Sequence, residues 1–319
     1  MIPIRDPNAV SVSALGHRGT VAQQRGYNSC LHLALCCRMS SDLSAAPLGQ
    51  SVSYPSTYDP SVLFPIARAQ ARASLNLPAN AAGQADFQGA DIWNGYELSW
   101  LNSRGKPLVA LARFAIPADS PNIVESKSFK LYLNSYSQTR ITDMQSLHAQ
   151  LVQDISQAAG APVQLTLIPA AEFNQQPIAD LSGICLDDQD IDIDAYEPDP
   201  ALLHTVAGAT AIEETVMSRL LRSNCPVTGQ PDWGCVQIAY RGAPIDHAAL
   251  LRYIVSYRNH TGFHEHCVER IYCDLMQHCQ PESLRVYARY TRRGGLDINP
   301  WRGTPDQAAP DVVTRTARQ

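Results

Sequence analysis

Two strands with alternating apolar residues, then helical segments, then another strand occur twice along this chain, and that repetition limits the fold more than any other feature. In the first copy, DIWNGYELSWLNSRGKPLVALARFAIP (91–117) alternates at Tyr96, Leu98 and Trp100, turns at Ser103–Gly105 and resumes over Leu108–Ile116, as a β-hairpin does. ESKSFKLYLNSY (125–136) precedes MQSLHAQLVQDISQAAG (144–160), whose apolar spacing is helical and which stops on a glycine. APVQLTLIPAAEF (161–173) returns to strand. In the second copy, GCVQIAYRGAPID (234–246) reads as a hairpin strand. HAALLRYIVSYRNH (247–260) and HEHCVERIYCDLMQHC (264–279) read as helices, and LRVYARYTR (284–292) as a strand. The expected class is α+β, as two duplicated units over 91–200 and 201–319. Their junction falls in DDQDIDIDAYEPDP (187–200), a charged strand and connector, since charges blunt a sheet edge. Calcium is not expected there, because Ile193 stands where an EF-hand loop needs glycine.

Residues 39–90, rich in Pro, Ala, Ser and Gly, read as an N-terminal arm. The first 38 residues carry Arg5, Arg18, Arg25 and Arg38 against a single Asp6 and show no periodicity. They read as a disordered upstream extension, with Met39 the natural initiator. A real extension or targeting arm is the alternative; a signal peptide's basic n-region and small-residue cleavage site are missing.

Composition narrows the partners. With 319 residues, 45% hydrophobic and 17% charged, the chain has enough apolar material for a core. A net charge of −5 speaks against a nucleic-acid surface, which needs a basic footprint. No apolar run approaches the ~20 residues of a membrane span. Nine cysteines at irregular spacing, with no CxxC pair, read as reduced thiols in a reducing, cytoplasmic setting.

Neither GxGxxG nor GxxxxGK[ST] is present, so a nucleotide would be held by other means. Four clusters carry possible chemistry. In IEETVMSRLLRSNCPVTGQPDWG (212–234), apolar residues at 212, 216, 217, 220 and 221 read as a helix ended by Ser223–Asn224. Cys225 then precedes Pro226 in extended backbone, and Asp232 follows on the same loop. A thiol and a carboxylate so placed suit a nucleophile and a proton carrier. By spacing alone, a small buried cysteine near an incidental aspartate is the stronger reading. NHTGFHEHC (259–267) offers His260, His264, His266 and Cys267, but no second ligand pair completes a zinc site. Unligated histidines beside a core cysteine, or a substrate pocket using His264 and Glu265, are the other readings. VESKSFK (124–130) sets two lysines and a glutamate near a helix start. In ARYTRRGG (288–295), Arg292 and Arg293 precede two glycines and suit a phosphate. A solvated charged face is the plainer reading of both.

Taken together, VESKSFKLYLNS, SNCPVTGQPDWG, FHEHCVERI and YARYTRRGGLDINPWR closely resemble the long-form 7-cyano-7-deazaguanine reductases, nitrile reductases of queuosine biosynthesis in the tunnelling-fold superfamily. The resemblance runs from about Met39 to the C-terminus. It implies two tandem tunnelling-fold units, antiparallel sheets with helices on one face, in a homodimer. It implies reduction of the nitrile of 7-cyano-7-deazaguanine to the aminomethyl base with NADPH, through a thioimide on Cys225 with Asp232 as proton donor. Val124, Glu125, Ser126, His264 and Glu265 would bind the substrate, and Ser126, Lys127, Arg293 and Gly294 the NADPH. No metal is implied, nor any direct contact with nucleic acid or membrane. The rivals are a zinc-dependent hydrolase like GTP cyclohydrolase and a non-catalytic purine-binding module.

Overall fold

In a computed structural model of the chain, residues 53–75 and 86–319 are described, with 47 and 77. The expectations for 1–38, and for Met39 as initiator, lie outside them. The described chain enters through strand β1 (Pro65–Ala67) and helix α1 (Arg68–Arg72). It continues through the long hairpin β2 (Gln88–Leu101) and β3 (Pro107–Pro117), then β4 (Asn122–Val124), α2 (Ser126–Ser135), α3 (Met144–Ala159) and β5 (Gln164–Pro169). There follow β6 (Ile184–Cys185), β7 (Ile212–Ser218), β8 (Arg222–Asn224), β9 (Pro231–Gly242), α4 (His247–Ser256), α5 (His264–His278), β10 (Ser283–Tyr290) and β11 (Leu296–Gly303). The hairpin, α3 and α5 fall where apolar spacing put them. Gly160, at φ 74°, ends α3 in the left-handed region that glycine enters freely.

One sheet joins nine strands in the order β5-β3-β2-β11-β10-β9-β7-β6, with β8 paired to the start of β9. The strand following each pair of helices returns beside the second long strand before them: β5 pairs β3, and β10 pairs β9. Strands β2 and β11 make the seam between the halves, from Gln88↔Gly303 to Gly95↔Leu296. Residues alternate across the sheet, so each half turns one apolar face to its helices. Trp93, Leu98, Phe114, Phe129 and Leu147 fill the first cluster. Val236, Ile238, Tyr253, Val268 and Val286 fill the second.

The two halves share details that the strand pattern alone did not disclose. Tyr132 and Tyr136 set their hydroxyls 2.9 Å apart, Tyr132 donates to Asp154 at 2.6 Å, and Ser135 donates to the Tyr132 carbonyl. Tyr253, Tyr257, Asp274 and Ser256 repeat that arrangement at 2.9 and 2.6 Å. The same serines accept from the backbone N–H of Asp59 and Asp199, each opening an Asp-Pro turn.

Two expectations are corrected. The segment 212–224 is not a helix but β7, a turn and β8. Five apolar residues matched helical spacing, yet a short run is ambiguous. Strand β9 offers Thr215, Val216 and their neighbours a full antiparallel ladder, from Ile212↔Gly242 to Ser218↔Val236. The acidic stretch 187–200 contains no strand, since pairing stops at Cys185. Its Asp187 instead accepts from the Ser218 hydroxyl at 2.6 Å and the Arg219 N–H, ending β7.

Candidate active site

Four local structures bring the chemistry-bearing residues together. In the first, the β8–β9 pairing continues past Asn224: the Cys225 N–H donates to the Gln230 carbonyl at 2.9 Å, and Gly229 N–H returns to the Cys225 carbonyl. Opposed residues of a hairpin share a face and alternate along it, so Cys225, Gln230 and Asp232 project to one side. Asn224 exchanges backbone hydrogen bonds with His260 and Gly262, fixing the start of α5 against the hairpin. That places His264 and Glu265 in the first turn of α5.

In the third, Glu125 caps α2 by accepting from the N–H groups of Lys127 and Ser128, each at 2.7 Å. Burial pushes its carboxyl above the usual range although both bonds oppose this. Ser126 and Lys127 thereby sit in the first turn. The fourth is the two-residue turn from β10 to β11, where Gly294 and Gly295 take φ of 58° and 78°.

These pieces line one cavity of about 220 Å³. Val124, Ser126, Lys127, Cys225, Asp232, His264, Glu265, Arg293 and Gly294 all reach it. Glu125 is not among its walls, its carboxylate being engaged by the α2 backbone. Tyr54, Trp93, Lys130, Gln230, Phe263 and Thr291 also line it and were not singled out from the sequence. Lys130 and Gln230 stood inside quoted motifs. Nothing in a single sequence marks Tyr54 or Trp93.

Asp232 is buried, with one oxygen 2.8 Å from Arg293 Nη2 and the other 3.4 Å from His264 Nε2. Arg293 also donates to the Gln230 side chain at 2.6 Å. The arginine expected at a phosphate thus pairs with the carboxylate expected as proton carrier, a contact that sequence reading missed. His264 stacks on Tyr290, ring centroids 3.8 Å apart and planes 2° from parallel, which fixes its ring against Asp232. Glu265 is 4% exposed. Burial, then the negative charge of Asp91, push its carboxyl up to about 7 against the pull of His264. Cys225 is a free thiol, 3% exposed.

Lys127, Lys130, Arg293 and the Ser126 hydroxyl suit the phosphates of a pyridine nucleotide, and at Gly294 a Cβ would meet Lys130 Nζ at 2.7 Å. A buried thiol and a guanidinium-held carboxylate in one cavity can supply a nucleophile and a proton carrier, the equipment of an enzyme site.

A family model described as "Nitrile reductase, 7-cyano-7-deazaguanine-reductase N-term" matches residues 54–167, and one described as "QueF-like protein" matches 231–309. The NADPH-dependent 7-cyano-7-deazaguanine reductase of Bordetella avium is 62% identical over 277 residues, 87% of this chain and 99% of that protein. The protein of the same name from Burkholderia vietnamiensis is 57% identical, covering 86% and 98%. A solved structure, the archaeosine synthase QueF-Like in the apo form, is 17% identical and matches 32% of this chain and 99% of its own, with a TM-score of 0.27. The chain belongs to the NADPH-dependent 7-cyano-7-deazaguanine reductase family.

Proposed function

We propose that this chain reduces the nitrile of 7-cyano-7-deazaguanine to 7-aminomethyl-7-deazaguanine with NADPH, for tRNA queuosine synthesis, through a thioimide on Cys225. The convergence of Cys225, Asp232 and Glu265 on one cavity carries this reading. The nitrile carbon is electrophilic and needs a soft nucleophile, which sulfur provides. Asp232 takes the thiol proton as the C–S bond forms and passes it to the nitrile nitrogen, while Arg293 and His264 hold the carboxylate in place. NADPH, when bound, supplies two hydrides, the first to the thioimide and the second to the imine left after sulfur departs. Ser126, Lys127, Arg293 and Gly294 hold its phosphate-bearing end. Val124, Ser126, His264 and Glu265 form the substrate-binding wall, and Glu125 acts on the substrate through the helix start that it caps.

Glu265 accepts the two N–H donors of the purine edge as a bidentate carboxylate. Glu265→Gln turns one acceptor into a donor against a buried N–H, at a cost of about 1–3 kcal/mol. The KM for the nitrile should rise by roughly tenfold or more. Only the ionised carboxylate accepts both bonds. Because its pKa is raised, the wild-type KM should fall as pH climbs through about 7. The Gln variant should lose that dependence, and a flat wild-type profile would place the purine edge elsewhere.

Two NADPH should be oxidised per amine formed, with NADH much poorer. Arg293→Ala should raise the KM for NADPH more than that for the nitrile and also slow adduct formation, because Asp232 loses its guanidinium. Steady-state kinetics at varied cofactor check this, and an unchanged KM for NADPH would remove Arg293 from the cofactor site.

The remaining roles follow from the same reading: a homodimer acting on a small molecule in the cytoplasm, with no contact to nucleic acid. Two tandem tunnelling-fold units, 91–200 and 201–319, are the proposed division. Among the described residues no helix is long and apolar enough to cross a membrane.

A further inference from the structure

We propose that the face of the sheet turned away from the helices carries a second ligand site, a pocket for a small inorganic oxyanion of the phosphate or sulfate type, gripped by Arg113, Arg289 and Arg315. The pocket, about 30 Å³, lies between β2, β3 and β10 and is closed by the C-terminal segment through Val313 and Arg315. Residues 111, 113 and 289 alternate with the core positions Ala112, Phe114 and Tyr290, which places them on the opposite face.

Arg289 is 2% exposed, and its Nε and Nη1 have no hydrogen-bond partner among the described residues. Such a group costs free energy unless something accepts from it. Arg113 faces the same space and, among the described residues, only its Nε is engaged, to the Asn94 side chain at 3.1 Å. Burial, then the positive charge of Arg289, push its guanidinium below the usual range. Arg315 is anchored by backbone bonds to Pro177 and Ala179 and donates one nitrogen to a main-chain oxygen of Gln319, the last residue of the sequence, at 2.8 Å.

The neighbouring carboxylates offset part of this charge at a distance, but their oxygens face other donors. Asp297 accepts from Asn94 at 2.7 Å, from the Tyr96 hydroxyl at 2.6 Å and from Asn299. Asp311 accepts from the N–H groups of Val313 and Thr314. Among the described residues none of the three arginines pairs with an Asp or Glu side chain. A single water would satisfy one or two of these donors but add no charge beside the three guanidinium groups. An oxyanion answers both, with oxygens that match guanidinium forks. A space of about 30 Å³ excludes a nucleotide and leaves room for a free inorganic ion at most.

The full chain should be melted in inorganic phosphate and in chloride of equal ionic strength, and crystals soaked in selenate should be mapped by anomalous scattering. Saturating phosphate should raise the wild-type Tm by about 5 °C or more, and selenium should appear between Arg113, Arg289 and Arg315. Arg289→Gln should abolish the rise and Arg315→Gln should reduce it by at least half, while Lys127→Ala, in the other cavity, should keep it. If Arg289→Gln does not fold, Arg315→Gln and the selenate map decide. A rise that survives in the foldable arginine variants but vanishes in Lys127→Ala, or a map with no peak at the three arginines, overturns the site.

Discussion

Cys225→Ala is expected to leave no covalent adduct and no reduction while still binding the nitrile, because the thiol is the only group on its hairpin face able to form a C–S bond. Asp232→Asn keeps the size of the side chain but cannot carry the proton that sulfur must shed. Adduct formation should therefore slow by about 10²–10⁴-fold, the range for a lost acid–base group. Lowering of the thiol pKa by Asp232 is not the source of the effect, since a neighbouring carboxylate disfavours a thiolate. The 2.8 Å contact with Arg293 compensates the carboxylate's charge and keeps it facing the cavity. Intact-protein mass spectrometry with nitrile present and NADPH absent reads adduct formation directly. An Asn variant that forms adduct as fast as wild type would confine Asp232 to the later steps.

Arg302→Met should cost about 3–5 kcal/mol, the penalty for stranding buried charges, and lower the Tm by on the order of 10 °C. Arg302 is fully buried, 2.9 Å from Asp91 and 2.8 Å from Glu269. Arg68 closes on Asp91 and Arg72 on Glu269, so three arginines hold two carboxylates at the seam between β2 and β11. Burial works to raise the Glu269 carboxyl, but the charges of Arg302 and Arg72 hold it at about 2. A depressed folded pKa gives stability that is present above the unfolded value and lost as pH falls through the folded one. The wild type should accordingly lose stability between about pH 4.5 and about pH 2, and Arg302→Met should show less of that loss. Thermal melts across this range test both statements. A variant within 1 °C of wild type would show that the network adds no net stability.

The elements most legible in the sequence were those whose apolar period was long and unambiguous. The 91–117 hairpin needed only its alternation and the Ser103–Gly105 turn, and α3 its spacing and its glycine stop. The segment 212–224 was misread because its period was shared between helix and strand. Only the presence of β9 decided between them. Nine of the residues expected at the site line the cavity, but their relations were not legible. No spacing rule states that Arg293 meets Asp232, or that His264 stacks on Tyr290.

What the amino-acid sequence settled by itself was therefore local: which stretches pair or coil, where glycine lets a turn form, and which residue types have the chemistry. The tertiary structure decided the rest, because contacts across the sheet join positions far apart in the chain. The packing of α5 on the sheet buries Glu265 and sets it near Asp91, which together raise its carboxyl, and the β10–β11 turn carries Arg293 to Asp232. Charge, burial and proton affinity at the site arise from those distant neighbours, and a linear pattern does not contain them.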